Sequence, residues 1–278
     1  MNKCIRFLIV FLLFVPGIIY SQNIIEGRVT NSHSKDVIMY VNIGLLNKNI
    51  GTVSNSNGYY LLNIEDQNLD DSVRFSCIGY EPETFLVKDL LLTNDYNIEL
   101  IPKAEVLPEI VVNPANYQYK VLGNHFHGKK IMTGFRNNDK GSECGILINT
   151  KEKSVLDKLT CNIAECTYDS IFYRINVYEE IKKGQYNNIL TEPIYFSQAM
   201  NDSVNSIEID LLKYNIIVKG KTLITIEHVK DLGEGHLMFP GGFVFGTDTY
   251  YRKASEGIWM RSKINMGFNV AVYAESKR

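Results

Sequence analysis

Histidine, cysteine and tryptophan are scarce in this sequence, and neither sign of charge is in clear excess. The 278 residues include five His, five Cys and one Trp, and 29 Lys and Arg stand against 31 Asp and Glu. A protein that neutralises nucleic-acid phosphates needs a basic surface, which a formal net charge of -2 does not indicate. The composition therefore argues against nucleic acid as a partner.

The common catalytic and metal-binding motifs are also missing. No Cys-x-x-Cys pair, no HExxH helix motif and no Gly-x-Ser-x-Gly elbow occurs, which argues against structural zinc, a zinc protease and a serine hydrolase. Gly241-Gly242-Phe243 follows Phe239-Pro240 and predicts a turn, because no helical pattern follows that could cradle a phosphate. We therefore predict no enzyme activity and no cofactor.

No apolar run in the sequence is long enough for a typical membrane-spanning helix. The longest, Phe7 to Ile19, contains Pro16-Gly17 and is shorter than the roughly 20 residues that cross a bilayer. Lys3 and Arg6 make its start positive, and Ser21 supplies a small residue before Gln22. Residues 1–21 are therefore predicted to be a cleaved signal peptide, with an uncleaved anchor as the alternative.

Export would place the cysteines in a compartment where disulfides can form. Loss of Cys4 with the signal leaves four thiols, for which three full pairings exist: Cys77, Cys144, Cys161 and Cys166. Leu159 to Cys166 is predicted to be one strand, where an odd separation puts Cys161 and Cys166 on opposite faces and unbonded. A bridge from Cys144 to either of them is one alternative, and the favoured one is buried free thiols.

From Asn23 to Pro102, short alternating segments are separated by turn residues. Residues suited to one sheet face recur at every second position, as in Ile25-Gly27-Val29. The segment Asn55-Ser56-Asn57-Gly58 predicts a tight turn that closes a hairpin. The pattern predicts about seven strands, the last ones at Phe85–Val87 and Ile98–Leu100, and no helical stretch. This arrangement is typical of a small β-sandwich.

Four ordered motifs in this block resemble the carboxypeptidase regulatory-like domain. They are Gly27-Arg28-Val29, Val41-Asn42-Ile43, Gly51 to Leu61 and Asp71 to Tyr80, within about residues 23–101. The resemblance implies a transthyretin-like Greek-key sandwich over residues 22–102, without catalytic residues, that serves folding, docking or binding. The family is widespread in envelope and secreted proteins of Gram-negative bacteria, and its domain often lies at the N-terminus of TonB-dependent outer-membrane receptors. Asn55 and Asn57 replace the family's usual Asp, so no carboxylate cation site is expected in that turn.

Residues 103–116 are predicted to be a linker. Within it, Ala104 to Val112 resembles the segment that follows this domain in TonB-dependent receptors, and we predict a final strand and linker ending at Pro114. The remaining chain is too short for a receptor barrel of about 22 strands at roughly ten residues each. The protein is therefore not expected to be such a receptor.

Residues 117–278 are predicted to form a second β-sandwich, of jelly-roll type, so that the whole fold is all-β. Along Ile171 to Tyr178, the odd-numbered residues are apolar and predict a core face, and Leu211 to Tyr214 predicts a weak helical turn. The predicted strands are Ile146–Ile148, Leu159–Cys166, Ile171–Glu179, Ile207–Asp210, Asn215–Val218, Leu223–Val229, Gly235–Phe239, Thr249–Arg252, Ile258–Arg261 and Phe268–Tyr273.

Aromatic residues are the most promising candidates for a binding face, because their rings can meet sugars or a partner's side chains. The candidates are Tyr178, Tyr186, Tyr251 and Trp259. Tyr250 and Tyr251 alternate in a strand, so at most one of them faces inward.

Two weaker sets of candidates would support chemistry. His125 and His127 could form a metal pair, with His228 or His236 as a third ligand, although an exposed loop pair is the simpler interpretation. Glu165 and Glu227 could form a glycosidase pair if the fold brought them together.

These observations predict an exported, non-catalytic protein of the bacterial envelope, periplasmic, at the outer-membrane surface or secreted. It would bind or scaffold a protein or a glycan through its sandwiches. The alternatives are a glycan- or metal-dependent hydrolase sited on the second sandwich, and an accessory subunit of an outer-membrane TonB-dependent uptake complex.

Overall fold

The computed structural model describes residues 22–93, 95–103, 116–243 and 246–276. The predicted signal peptide and most of the predicted linker, including Ala104 to Val112, lie outside these residues. Within them, no helix is both long and apolar enough to cross a membrane.

The first domain contains seven strands, as predicted, in two sheets packed face to face. The strands are β1 (Gln22–Asn31), β2 (Asn42–Leu45), β3 (Gly51–Val53), β4 (Tyr59–Glu65), β5 (Ser72–Ser76), β6 (Glu83–Leu86) and β7 (Ile98–Leu100). One sheet has the order β4-β1-β7 and the other β3-β2-β5-β6. Strand β4 shows the expected alternation, with Tyr60, Leu62 and Ile64 buried and the residues between them exposed.

The turn at Asn55 to Gly58 forms as predicted, but the hairpin does not. Asn55 Oδ1 accepts the backbone N–H groups of Asn57 and Tyr59, and Gly58 has φ 70°. However, β3 pairs with β2, whereas β4 pairs with β1. The turn residues determine a local reversal of the chain, but they do not determine which strand each neighbour pairs with. Because β3 and β4 pair in different sheets, this turn links the two sheets.

The prediction that this domain lacks helix was wrong, and the strand predicted at Phe85–Val87 lies slightly earlier, at Glu83–Leu86. Strand β6 ends at Leu86, and helix α1 (Val87–Thr93) follows directly. Val87 and Leu90 are its buried residues, because a spacing of three places both on one helical face. A helix of seven residues, about two turns, is too short to show more of that period in the sequence. Asp66–Asn68 forms a short 3-10 helix as well.

The second domain is also built of strands, and all its strand pairs are antiparallel. Its strands are β8 (Tyr117–Gly123), β9 (Met132–Phe135), β10 (Glu143–Asn162), β11 (Glu165–Cys166), β12 (Ser170–Lys182), β13 (Gln185–Asn188), β14 (Ile194–Ala199), β15 (Ser206–Asp210), β16 (Ile217–His228), β17 (Leu237–Gly242), β18 (Thr249–Arg252), β19 (Met260–Arg261), β20 (Asn265–Met266) and β21 (Phe268–Glu275). Leu212–Tyr214 forms a 3-10 helix where a helical turn was predicted. The all-β fold class is confirmed.

Strand β10 runs through the ten-stranded sheet of this domain and changes partners along its length. Its register shifts between Thr150 and Ser154. Before the shift it pairs with β16 and β18, and after it chiefly with β21 and β15. Apolar residues from both halves, among them Ile146 and Leu159, join one buried cluster. The main sheet has the order β13-β12-β16-β10-β18-β19, which the periodicity of the sequence could not supply.

Two strand predictions in this domain were wrong in detail. The segment Leu159–Cys166 is two strands, because β10 ends at Asn162 and β11 pairs with β17 in another sheet. The face argument for Cys161 and Cys166 therefore does not apply, and all four cysteines of the described chain are free thiols. Conversely, Asn215–Val218 and Leu223–Val229 largely merge into β16, whose Gly220 takes φ 82°. The unpredicted strands are β8, β9, β13, β14 and β20.

The two domains pack tightly against each other. Tyr40 of the first domain contacts Phe172 and Tyr195 of the second, each with ring centroids 5.3 Å apart. Gly44 permits the closest approach, since a Cβ there would lie 2.1 Å from the backbone oxygen of Ser255. The interface is therefore shaped by backbone contact as well as by side chains.

Candidate binding site between the two domains

Four charged residues form a row across neighbouring strands of the second domain. The strand register places Arg174 of β12 opposite Glu227 of β16, Glu227 opposite Glu143 of β10, and Glu143 opposite Arg252 of β18. Opposite charges facing each other across strands are stabilising, whereas the central Glu–Glu pair is repulsive. All four side chains are at most 7% exposed, so their charges need internal partners.

Hydrogen bonds supply those partners. Arg174 donates from Nε and Nη2 to Glu227 Oε2, at 3.1 and 2.7 Å. Arg252 Nε donates to Glu143 Oε2 at 2.7 Å. Between the carboxylates, Asn176 Nδ2 donates to Glu143 at 2.8 Å and to Glu227 at 2.7 Å. Each arginine thus neutralises one acid, and the amide bridges the two like charges.

Glu143 is the most heavily bonded member of this row. Tyr178 Oη donates to it at 3.1 Å, and Thr225 Oγ1 donates as well. Burial raises the pKa of Glu143, the charge of Arg252 opposes that rise, and the charge of Glu227 adds to it. For Arg252, burial acts to lower the pKa, but the nearby acid Glu143 outweighs it, so the pKa of this guanidinium is raised.

The row also joins the second domain to the first. Arg174 Nη1 donates to the backbone oxygen of Tyr40 at 2.7 Å, and Nη2 donates to Asn42 Oδ1 at 2.5 Å. Nearby, Ser76 Oγ donates to Glu256 Oε1 at 2.6 Å. The first domain therefore satisfies part of the guanidinium of Arg174, at one end of the charged row.

A cavity of about 360 Å³ opens beside this row, between the domains. Trp259 lies at its wall, with its ring centroid 5.6 Å from that of Tyr178 and 5.9 Å from that of Tyr186. The guanidinium carbon of Arg252 lies 5.0 Å from the centroid of Trp259. Polar and charged side chains that also line the cavity are Asn42, Arg74, Ser76, Glu81, Lys103, Arg174, Asn176, Asn187, Asn188 and Glu256.

Two buried polar atoms of residues lining the cavity, Arg74 Nε and Tyr186 Oη, lack a hydrogen bond within the described chain. Arg74 Nε is buried without an acceptor, and its ion-pair partner, Glu256 Oε2, is 4.0 Å away. A buried donor without a partner costs free energy unless water or a ligand meets it. The cavity therefore offers a donor to a polar ligand.

Three of the four aromatic candidates come together in this cavity. Tyr178, Tyr186 and Trp259 line it, whereas Tyr251 lies elsewhere and packs on the core of the second domain. Its neighbour Tyr250 contacts Tyr186 instead, with centroids 6.1 Å apart. The alternation of strand β18 explains why adjacent tyrosines separate.

The metal candidates do not come together. His125 and His127 are exposed after β8, and no cluster of three or more His, Cys, Asp or Glu residues suited to a metal occurs in the part of the chain that the structure describes. His228 is buried near the rings of Phe135 and Tyr173, with centroids 6.0 and 5.3 Å away. His236 lies beside Glu165, with Nε2 3.5 Å from Oε1.

The suggested acid pair does not form either, because Glu227 has Glu143 as its acidic neighbour and Glu165 is exposed on β11. Sequence reasoning missed Glu143, Arg174, Asn176 and Arg252. The available signal was the second face of Ile171 to Tyr178, where Arg174 and Asn176 stand between aromatic residues. Charged and amide groups on this face are expected either when the face is exposed to solvent or when it forms a polar interface. Only the position of the first domain distinguishes these two cases.

Comparison with protein families identifies one region of the chain. The model of the CarboxypepD_reg-like domain matches residues 25–112. The first domain belongs to this family. The match extends beyond residue 101, where the resemblance based on the four motifs ends, and includes the segment that resembles the sequence following this domain in receptors.

The other comparisons add no relative that bears on function. No curated protein matches the chain. Among solved structures, the subviral particle of VP2 from infectious bursal disease virus is 8% identical, with 93% of this chain and 81% of that chain covered and a TM-score of 0.26. The structure of the Gx strain of that virus is 9% identical, with 94% of this chain and 57% of that chain covered and a TM-score of 0.19. Scores this low establish no shared fold.

Proposed function

We propose that the protein is a non-catalytic binding protein of the bacterial envelope that holds a glycan in the cavity between its domains. The observation that carries this proposal is the lining of that cavity, in which aromatic rings stand beside amide, hydroxyl and guanidinium groups. Rings bind the apolar faces of a sugar, and a few convergent polar groups fix its hydroxyls. This combination favours a neutral or weakly charged saccharide.

The rigidity of the site supports binding rather than catalysis. Arg174 and Arg252 are committed to Glu227 and Glu143, so the walls of the cavity are held in place before a ligand arrives. A preformed site avoids the free-energy cost of ordering side chains on binding.

A hydrolase is the second candidate function, and one observation favours it. Glu143 and Glu227 are neighbouring carboxylates, and burial raises the pKa of Glu143, as in a general acid. Against this, Glu143 accepts bonds from Asn176, Tyr178 and Arg252, which leaves it poorly placed to donate a proton to a substrate.

Export through residues 1–21 is part of the proposal, with the periplasm, the outer-membrane surface or secretion as destinations. An envelope protein as the bound partner, and a role as accessory subunit of a TonB-dependent uptake complex, are further possibilities raised by the first domain's family. Co-purification with an outer-membrane receptor would support the latter.

The only tryptophan of the sequence provides a direct test, because Trp259 lines the proposed site. The chain from Gln22 onward would be screened on a glycan array, and oligosaccharides that bind would be titrated while tryptophan fluorescence is followed. We expect a saturable change, at least tenfold weaker binding in Tyr186→Ala and several-fold weaker binding in Arg74→Gln.

Tyr119→Ala is the matched control, since Tyr119 is an exposed aromatic residue paired with Tyr273 and does not line the cavity. Absence of any binding saccharide, or equal affinity in Tyr186→Ala and the parent protein, would contradict the proposal. Release of cleaved sugar that disappears in Glu143→Gln would favour the hydrolase instead.

A further inference from the structure

A second cleft, of about 630 Å³, lies in the second domain and has a different chemistry. Strands β9, β10 and β18 and the segment from Arg261 to Met266 form its walls. Its cationic side chains come from separate parts of the chain and are Arg136, Arg252, Lys253, Arg261 and Lys263. The acids that line it are Asp139 and Glu143.

Two of the five cations are already neutralised by carboxylates. Arg252 is bound to Glu143, and Arg261 Nη2 lies 2.6 Å from Asp248 Oδ1. The other three, Arg136, Lys253 and Lys263, are exposed and take part in none of the ion pairs found among the described residues.

These three unpaired cations outnumber the one remaining acid of the cleft, Asp139. The cleft is therefore a positive region on a protein whose formal net charge is -2. Such a local excess attracts anions from solution.

The floor of the same cleft is apolar. Phe135 and Met266 are buried there, at 5% and 3% exposure, and Tyr251 and Ile264 stand beside them half-buried. A simple inorganic anion would leave this apolar surface exposed to water, whereas a ligand with an apolar body would bury it. The cationic rim and the apolar floor together select for a molecule that carries both features.

We propose that this cleft binds an amphipathic anion, with a phosphate monoester at the rim and an alkyl or aryl body on the floor. A phosphate monoester carries a charge of about -1.5 to -2 at pH 7, which suits three unpaired cations better than the single charge of a carboxylate. Lysines bind phosphate as point charges, and Arg136 can add paired hydrogen bonds.

The proposal can be tested by isothermal titration calorimetry on the chain from Gln22 onward. The probes are dodecyl phosphate, dodecanoate, inorganic phosphate and octaethylene glycol dodecyl ether, a neutral detergent without a sugar, each detergent kept below its critical micelle concentration. We expect dodecyl phosphate to bind in a saturable way, more tightly than dodecanoate, and at least tenfold more tightly than either inorganic phosphate or the neutral detergent.

Two double variants distinguish this cleft from general charge attraction. Lys253→Gln with Lys263→Gln removes two rim charges and should weaken dodecyl phosphate binding at least tenfold. Lys182→Gln with Lys183→Gln removes two exposed charges outside the cleft and should leave the affinity within twofold. All four lysines are exposed, so both variants are expected to fold.

Equal weakening in both double variants would overturn the proposal, as would equal affinity for dodecyl phosphate and inorganic phosphate, or the absence of dodecyl phosphate binding. Tighter binding of dodecanoate would overturn it as well, because the cationic rim would then prefer a carboxylate to a phosphate. The outcome is independent of the glycan proposal, because Tyr186 and Trp259 do not line this cleft.

Discussion

The two faces of strand β12 are both buried, but against different surfaces and by different means. Ile171, Tyr173, Ile175 and Val177 lie inside the second sandwich and are at most 1% exposed. On the other face, Arg174 and Asn176 are equally buried, and Arg174 contacts the first domain. The inner face is stabilised by apolar area, and the outer face by paired charges.

This difference bears on specificity. Apolar contacts are non-directional and tolerate sliding, whereas an arginine with fixed donors requires its acceptors in fixed places. Arg174 finds them in Glu227 and in the first domain's Tyr40 and Asn42. We infer that the charged row holds the domains in one orientation and thereby sets the shape of the cavity.

The largest expected effect is on the charged face. Arg174→Met leaves Glu227 buried with its main counter-charge removed, and should lower the free energy of unfolding by about 4 kcal/mol, measured by urea denaturation. Adding Glu227→Gln removes the uncompensated charge and should restore part of that loss.

Arg261→Ala is the matched control, because it removes an arginine from an exposed pair and should cost less than about 1 kcal/mol. Similar losses in Arg174→Met and Arg261→Ala would show that the buried row does not differ from a surface ion pair.

The apolar face should give a somewhat smaller effect of a different kind. Ile175→Ala removes buried methyl groups and leaves a cavity, which should cost about 3 kcal/mol. Because no charge is involved, the loss should be the same at low and high salt and should leave glycan binding intact. A large change in glycan affinity would mean that the core, and not the charged row, shapes the cavity.

The smallest effect concerns a polar group within the apolar interior. Burial lowers the pKa of His228, so the unfolded chain binds a proton first as the pH falls, and stability is lost below about pH 6.5. His228→Phe should remove this loss, which is at most about 1.5 kcal/mol between pH 8 and pH 5.5. Thermal unfolding at the two pH values measures it.

His127→Phe, an exposed control, should keep the parent protein's pH dependence. The same acid-side loss in His228→Phe and in the parent protein would mean that other groups cause it.

Much of the fold was accessible from local patterns. The seven strands of the first domain follow from alternation and turn residues, and β18 was predicted at its observed bounds, Thr249–Arg252. Helix α1 was missed because seven residues, about two turns, show too little of the helical period. The pairing of β3 with β2 instead of β4 was missed because a turn does not determine which distant strand competes for an edge.

The candidate site was accessible only in part. Its aromatic members were predicted because tyrosine and tryptophan are notable wherever they occur. Glu143 and Arg252 were not, since each is unremarkable in its own segment. They became a site only when β10 and β18 paired with Glu143 opposite Arg252.

The sequence by itself determined the scarcity of catalytic motifs, the strand-rich composition and the family of the first domain, because each depends on residues close together in the chain. The tertiary structure alone decided that four distant charges form one buried row and that a cavity opens beside them. The physical reason is that strand register and domain packing depend on contacts between residues far apart in sequence, and the free energy of a buried charge depends on those contacts.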